Sequence, residues 1–544
     1  MSGDLWQRHR GLLELAAVGF MLAIVAALVY GPQALDGGFL GDAWSNRAIF
    51  VFSDGSGFFG KLSDFLSMPH IAVRPLQAFY LVALNSVFGS HVGFWLSWQV
   101  VTTVLMCVTL YLLLRRLSLG PVEAGTIALL VLLFPAASST RFWLATIWAP
   151  ASLTLVFLGY LLAFSAFDAK RQRNQLLLHA ASLALFVASL LLYEIALLLM
   201  LSSVLVYRLR VPWTAAAKRW VVDCAVLGIL ALTVTTGSDA GHVGTEVGVF
   251  EHGKVIAEQA RTLLMTVVLP LNSGSWYMLL LVALVPALGV LGYRLLPAAS
   301  PTRPELRRWL IAMAAGLAIV VLGYVVYAPG TDYYQPMGPG IMNRVNFVPS
   351  FGWVLMLYAG FMLIATLALR ELPNARRWAA GVASVACLLI AIGWLKPIST
   401  YSDYFTRAYA EDVRVLATMK QGLPKPREGS TIWTFGQPVE VVPGVPVFGN
   451  TWDMTSSVQL NYDDGSLISY VAYPETTFAC TPHGVQAGGP RYAPTGQPDP
   501  IYSSPYGLTY FVETSSGETI AVENRKQCRR AVDAFPLAPL YAAP

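Results

Sequence analysis

Apolar residues run along this chain in blocks of about twenty, separated by short polar loops. At 1.5 Å rise per residue, twenty helical residues cross the ~30 Å hydrocarbon layer of a bilayer. The pattern predicts spans at 11–31, 92–114, 121–137, 146–166, 175–192, 195–207, 221–237, 277–293, 309–327, 347–369 and 378–395. The pieces 75–88 and 262–271 are too short to cross and predict interfacial or re-entrant helices. The apolar stretch 175–207 is 33 residues long; splitting it at Tyr193-Glu194 predicts a hairpin with Glu194 at its tip. The first run exceeds the apolar core of a signal peptide and no small-x-small cleavage site follows it, so it predicts a retained span. Past about residue 396 the pattern changes. DYFTRAYAEDVRVLATMKQGL predicts a surface helix, and the short runs TIWTF, SLISYVAY, LTYFVET and ETIAVEN predict strands between Gly, Pro, Ser and Asp turns. The expected fold class is a mainly α polytopic membrane protein of about eleven transmembrane helices. Residues 1–395 form its membrane domain and 396–544 an extracytoplasmic α+β domain.

Composition agrees. The chain of 544 residues is 56% hydrophobic and 12% charged, with mean hydropathy +0.57, against about a quarter charged in soluble domains. Charge adds the orientation. With the N-terminus inside, the cytoplasmic loops before residue 396 hold 18 basic residues and the opposite loops seven: Arg47, Lys61, Arg74, Arg141, Lys254, Arg261 and Arg344. The positive-inside rule then predicts a cytoplasmic N-terminus, eleven crossings of the plasma (inner) membrane and an outer terminal domain. A nucleic-acid partner is not expected. Cys107, Cys224 and Cys387 lie in apolar runs, whereas Cys480 and Cys528 fall in the outer domain, where a disulfide between them persists if they are adjacent.

The chain has no Gly-rich phosphate loop, HExxH, CxxC or GxSxG element. Its candidate chemistry is a set of polar groups on the outer face. The first outer loop, 32–74, interleaves Asp36, Asp42, Asp54, Asp64, Arg47, Lys61 and Arg74 with Trp44 and several Phe, a pattern suited to the headgroup layer. Arg141, Glu194, Tyr333, Tyr334 and Arg344 fall in other outer loops or at their edges. Ionisable groups beside apolar spans are costly unless paired or wetted. Taken together they predict one outward-facing polar cavity.

GDAW at 41–44, RPL at 74–76, FGSHVGFWLS leading to LLLRRL, LLYEIALLL at 191–199 and MNRVNFVPS at 342–350 follow one another with a consistent sidedness. In that order the chain resembles the GT-C superfamily of membrane glycosyltransferases, over roughly residues 5–395. The resemblance implies a sugar donor linked to polyprenyl phosphate, an outer-face reaction and a C-terminal outer domain. Many members carry two adjacent acids where this chain reads Asp42-Ala43. A single acid weakens the case for a bridging divalent metal, and the expected reaction uses no cofactor or metal.

Transfer to a hydroxyl needs a carboxylate to accept its proton and cations to meet the departing lipid phosphate. Asp42 is the expected base, with Asp54 as its rival. Arg344, Arg74 and Arg141 are the expected phosphate ligands, and Trp44, Glu194, Tyr333 and Tyr334 the expected substrate contacts. The acceptor class stays open among glycolipid, polysaccharide and protein. Two other readings stay open as well, a lipid-linked sugar transporter or flippase and an O-antigen polymerase or ligase.

Overall fold

A computed structural model describes residues 2–237, 248–269, 276–297, 300, 302–330, 334–488 and 501–541. Helices of ten or more residues are α1 (Ser2–Asp36), α2 (Asp42–Phe52), α3 (Gly57–Leu66), α4 (Pro75–Phe88), α5 (Val92–Arg116), α6 (Pro121–Leu132), α7 (Trp148–Asp168), α8 (Gln172–Leu192), α9 (Trp213–Gly237), α10 (Val249–Leu263), α11 (Trp276–Leu295), α12 (Thr302–Val325), α13 (Phe347–Ala368), α14 (Ala375–Gly422), α15 (Thr451–Tyr462) and α16 (Arg525–Ala534). Among the described residues, seven helices are long and apolar enough to cross a membrane. Leu12, Phe20, Leu28 and Ile392 stay exposed on them, as expected of side chains that face lipid rather than water. The protein is a polytopic helical membrane protein.

Helix covers all the expected spans, but two of them are incomplete. α6 has 12 residues and stops where Phe134 turns extended ahead of Pro135, a residue restricted to extended backbone by the proline that follows. The segment 195–207 is broken into Glu194–Ala196, Leu197–Leu201 and Ser203–Arg208. There Ser202 Oγ donates to the Leu199 carbonyl at 2.9 Å, and such local bonds compete with a regular helix. The split before Glu194 is present.

Small residues set the tightest helix crossing. A Cβ on Gly352 would lie 2.3 Å from the Gly316 carbonyl oxygen, so α12 and α13 approach at their backbones, as membrane helices without a hydrophobic drive between them do. Tyr30 near the end of α1 donates to the Leu132 carbonyl at 2.6 Å.

Sequence composition marks a boundary at 396, but α14 does not break there. It runs unbroken for 48 residues with Pro397 inside. Its upper half is bound to α1, since Ser402 and Thr406 donate to Gln33 Oε1 at 3.3 and 2.7 Å.

The terminal domain holds β1 (Thr431–Phe435), β2 (Glu440–Val442), β3 (Val445–Pro446), β4 (Ile468–Val471), β5 (Thr477–Cys480), β6 (Gly484–Gly488), β7 (Tyr502–Pro505), β8 (Thr509–Glu513) and β9 (Thr519–Ala521). The main sheet has the order β4-β1-β8-β9, with β1 parallel to both neighbours and Trp433 opposite Tyr470 and Phe511. β1 is buried throughout, as a central strand must be. α15 is the crossover between β1 and β4. A second sheet, β5-β6-β7, is antiparallel. Cys480 on β5 and Cys528 on α16 form a disulfide, with Cα atoms 5.9 Å apart.

Candidate active site

The chain leaves α1 through Gly37–Gly41 and turns straight into α2. Gly41 has φ +52, and a Cβ there would lie 3.4 Å from Trp143 Nε1. The positive φ is what calls for glycine, since a Cβ at that distance would make only ordinary contact. Asp42 therefore opens α2, where the helix dipole favours a carboxylate. Asp54 sits beyond the other end of α2, about 17 Å away along an 11-residue helix, and is exposed.

Asp42 faces the terminal domain. Its Oδ1 accepts from the indole N–H of Trp452, at the start of α15, at 2.8 Å. Ser45 Oγ donates to the Trp452 carbonyl at 3.2 Å. Next in the chain, Asp453 is fully buried; its Oδ1 accepts from the backbone N–H of Asn450 at 3.0 Å and of Met454 at 2.8 Å, while Oδ2 has no hydrogen-bond partner among the described residues. A third acid enters from α14. Asp412 is fully buried and accepts from the Trp44 indole N–H at 3.0 Å. Burial pushes both carboxyls well above the usual range. Asp453 is raised further by the Asp42 charge, against its backbone donors. Asp412 is raised further by Asp453 and Glu411, against the Trp44 bond.

A basic and aromatic group adjoins this one. Trp143 donates from Nε1 to the Leu40 carbonyl at 3.0 Å, which ties it to the turn before Asp42. The Arg344 guanidinium lies 5.3 Å from the Trp143 ring and 5.1 Å from the Tyr334 ring, within cation–π range of both. The sequence around Arg344 explains its placement. Asn343 donates to Ser138 Oγ at 2.9 Å and Asn346 to the Ala136 carbonyl at 2.8 Å. These two asparagines pin the segment to the loop that carries Trp143. A contact with the terminal domain secures the other side, where Ile341 N donates to the Gly444 carbonyl at 2.8 Å.

Arg74 and Glu194 form a bidentate ion pair, with Arg74 Nε 2.8 Å from Oε2 and a second bond from Nη2 to Oε1. Arg74 also lies 5.7 Å over the Tyr193 ring. Burial opposes its charge, but the Glu194 carboxylate outweighs that and raises its pKa. Tyr193 is within electrostatic reach of Arg344, Glu194, Arg74 and Tyr334. Those four expected residues therefore converge, and Trp143 connects them to the Asp42 turn. Beside α2, Phe39, Leu81, Trp95 and Leu144 line an apolar crevice with Arg47 at its edge.

Two expected residues stand apart. Arg141 is buried, and its guanidinium donates to the carbonyls of Val131 at 2.6 Å, Phe134 at 2.7 Å and Ala137 at 3.3 Å. It caps the end of α6, so the expected phosphate contact gives way to a structural one. Trp44 turns its indole N–H to Asp412, not to a cavity. Tyr333 lies outside the described residues.

Residue-by-residue reading missed Trp143, Asp412, Trp452 and Asp453. Trp143 lies two positions from Arg141 in a segment already singled out. The other three come from the terminal domain or the helix leading to it, and no local spacing connects them with residue 42.

The fold and the site define a polytopic α-helical membrane protein whose mixed α and β terminal domain shares in a polar site at one membrane face. No protein-family model matches the chain, and no curated protein matches it. Among solved structures, the chain is similar to the apo-state crystal structure of ArnT from Cupriavidus metallidurans, with 14% identity over 84% of this chain and 86% of that one. The TM-score is 0.35, and a likeness at that score carries no argument about this chain.

Proposed function

We propose that the protein is a membrane glycosyltransferase that moves a sugar from a polyprenyl-phosphate donor to an acceptor hydroxyl at the outer face, with Asp42 as general base. One observation carries the reading: a carboxylate at a helix start lies on the turn that an arginine–aromatic cluster also contacts, at one membrane face. The resemblance of the sequence motifs to GT-C enzymes supports it separately.

In the proposed step the acceptor O–H gives its proton to Asp42, and its oxygen attacks the anomeric carbon from the side opposite the phosphate. The new C–O bond forms as the old one breaks. The electron pair leaves with the phosphate oxygen, the configuration inverts, and Asp42 later releases its proton to water. Charge gathering on the phosphate calls for a nearby cation. Arg344 is the assigned ligand, because it lies over Trp143, whose indole holds the turn before Asp42. Arg74, already neutralised by Glu194, is second. The lipid chain stays in the bilayer, so the donor reaches the site from its edge. The basic-residue bias supports an outer site with a cytoplasmic N-terminus.

The test is time-resolved transfer by the purified full chain from radiolabelled undecaprenyl-phosphate pentoses and hexoses to a membrane glycolipid extract. Label moving into product, and loss of that transfer in Asp42→Asn, is the expected result. Translocation of donor across vesicles without transfer would replace this reading with a carrier. Cysteine labelling completes it: position 450 should react from outside and position 172 only from the cytoplasm.

A further inference from the structure

The Asp42 carboxylate is held from the terminal domain, not from the membrane domain that carries it. Trp452 supplies its described side-chain partner, an indole N–H at 2.8 Å from Oδ1. Oδ2 has no side-chain partner among the described residues. Trp452 is itself fixed. Ser45 bonds its carbonyl at 3.2 Å, Ser456 one turn later donates to Ser45 Oγ at 3.3 Å, and the Asn450–Asp453 capping box starts the helix. Behind it, the unpartnered Oδ2 of buried Asp453 points at the same turn, 3.9 Å from where a Cβ on Gly41 would stand. Trp452 is 45% exposed, so the bond forms at the rim and not within a packed core.

We propose that Trp452 is a positioning residue for glycosyl transfer: its N–H fixes Oδ1 of Asp42 so that Oδ2 meets the acceptor hydroxyl, which makes the terminal domain a part of the site. This rests on the glycosyl-transfer reading above. A carboxylate rotates freely about its last bond, and an oxygen displaced by 1 Å loses much of the benefit of proximity. A neutral donor is suited to the task. Arginine in that place would pair with the base and compete with the acceptor proton, whereas an indole N–H orients the group without taking its charge.

The test uses the full chain in lipid nanodiscs with the same labelled undecaprenyl-phosphate sugars. Trp452→Phe keeps the ring and removes the N–H. It should lower kcat roughly 10-fold to 100-fold with donor KM within about twofold, a split that a loosened fold would not give. Added to Asp42→Asn it should cost nothing more, because both changes act through one contact. Trp452→His, which returns a ring N–H, should recover part of the rate. An NMR readout needs no substrate: the Trp452 indole proton, assigned by its loss in Trp452→Phe, should shift in Asp42→Asn. If Asp42→Asn abolishes transfer while Trp452→Phe keeps a normal kcat, the positioning role is overturned and the base assignment stands. If both variants transfer normally, the base assignment itself falls.

Discussion

The two ends of the helical bundle treat their acids differently. At the end away from the terminal domain, acids pair with arginines. Glu14 bonds Arg115 at 2.7 Å, Asp223 bonds Arg219 at 2.9 Å, Glu123 bonds Arg308 at 3.1 Å, and Asp168 lies between Arg116 and Arg210. At the other end Asp42 and Asp412 accept from indoles and Asp453 from backbone amides; none of the three is in an ion pair among the described residues. An arginine partner adds a permanent counter-charge and, for Glu14, Glu123 and Asp168, ties one helix to another, whereas an indole or amide donor orients a carboxylate without a counter-charge. At the site's end Glu194, paired with Arg74, and Glu411, paired with Arg414, follow the opposite rule.

The largest expected effect tests that division directly. Asp42→Asn should reduce transfer roughly 10²–10⁴-fold, with donor binding nearly kept, while Asp54→Asn at the far end of α2 stays near the parent rate. Loss with Asp54→Asn alone would reassign the base. At the opposite end, Arg308→Ala leaves Glu123, buried in α6, without its cation. It should cost about 3 kcal/mol of stability, read as earlier unfolding in detergent, with kcat per folded molecule unchanged. A fall in kcat there would erase the contrast between the two ends. Arg344→Ala removes the proposed charge-assisted phosphate contact and should raise donor KM about tenfold, more than it lowers kcat.

The smallest effect concerns pH. Asp412 has a folded pKa raised above its unfolded one, mainly by burial. Above the unfolded value the free chain sheds that proton and the fold retains it, so ionisation draws the chain toward the unfolded state. Its contribution to stability is therefore full in acid and falls as pH rises from the ordinary carboxyl range toward the folded pKa. Asp412→Asn imitates the neutral acid. It should stabilise the protein at pH 7 by on the order of 1 kcal/mol and flatten this part of the pH dependence, measured by thermal unfolding at several pH values. An unchanged pH profile would mean that Asp412 is ionised in the fold.

Much of the architecture is legible because hydrocarbon imposes one rule everywhere. Twenty apolar residues in hydrocarbon satisfy their backbone as helix, and a polar break such as Tyr193-Glu194 marks where one such helix ends. The cysteine pair was readable for a similarly general reason, since only two of the five cysteines lie outside apolar runs. Arg141 shows where this logic stops. An arginine near a membrane face reads alike whether it meets a phosphate or caps carbonyls, and only the buried carbonyls at the end of α6 decide between them. Asp412 and Asp453 mark a second limit. Each looks like an ordinary surface acid of an amphipathic helix, and each is buried because α2 lies against α14 and α15. That contact joins residues about 370 to 410 positions apart, and no local pattern encodes it. α14 adds a third case, in which composition signals the exit from the membrane but the helix continues.

The continuous α14 also makes the site a matter of rotational phase. Its 48 residues amount to about 72 Å of helix, and the terminal domain is carried on that shaft. One residue inserted near Thr400 would turn the terminal domain by about 100° and lift it about 1.5 Å, taking Trp452 off Asp42 and Asp412 off Trp44 at once. Seven inserted residues would nearly restore the angle but raise the domain by about 10 Å. Neither length leaves both tryptophan–aspartate contacts in place, so the residue count along this one helix is as much a part of the site as the side chains that meet there.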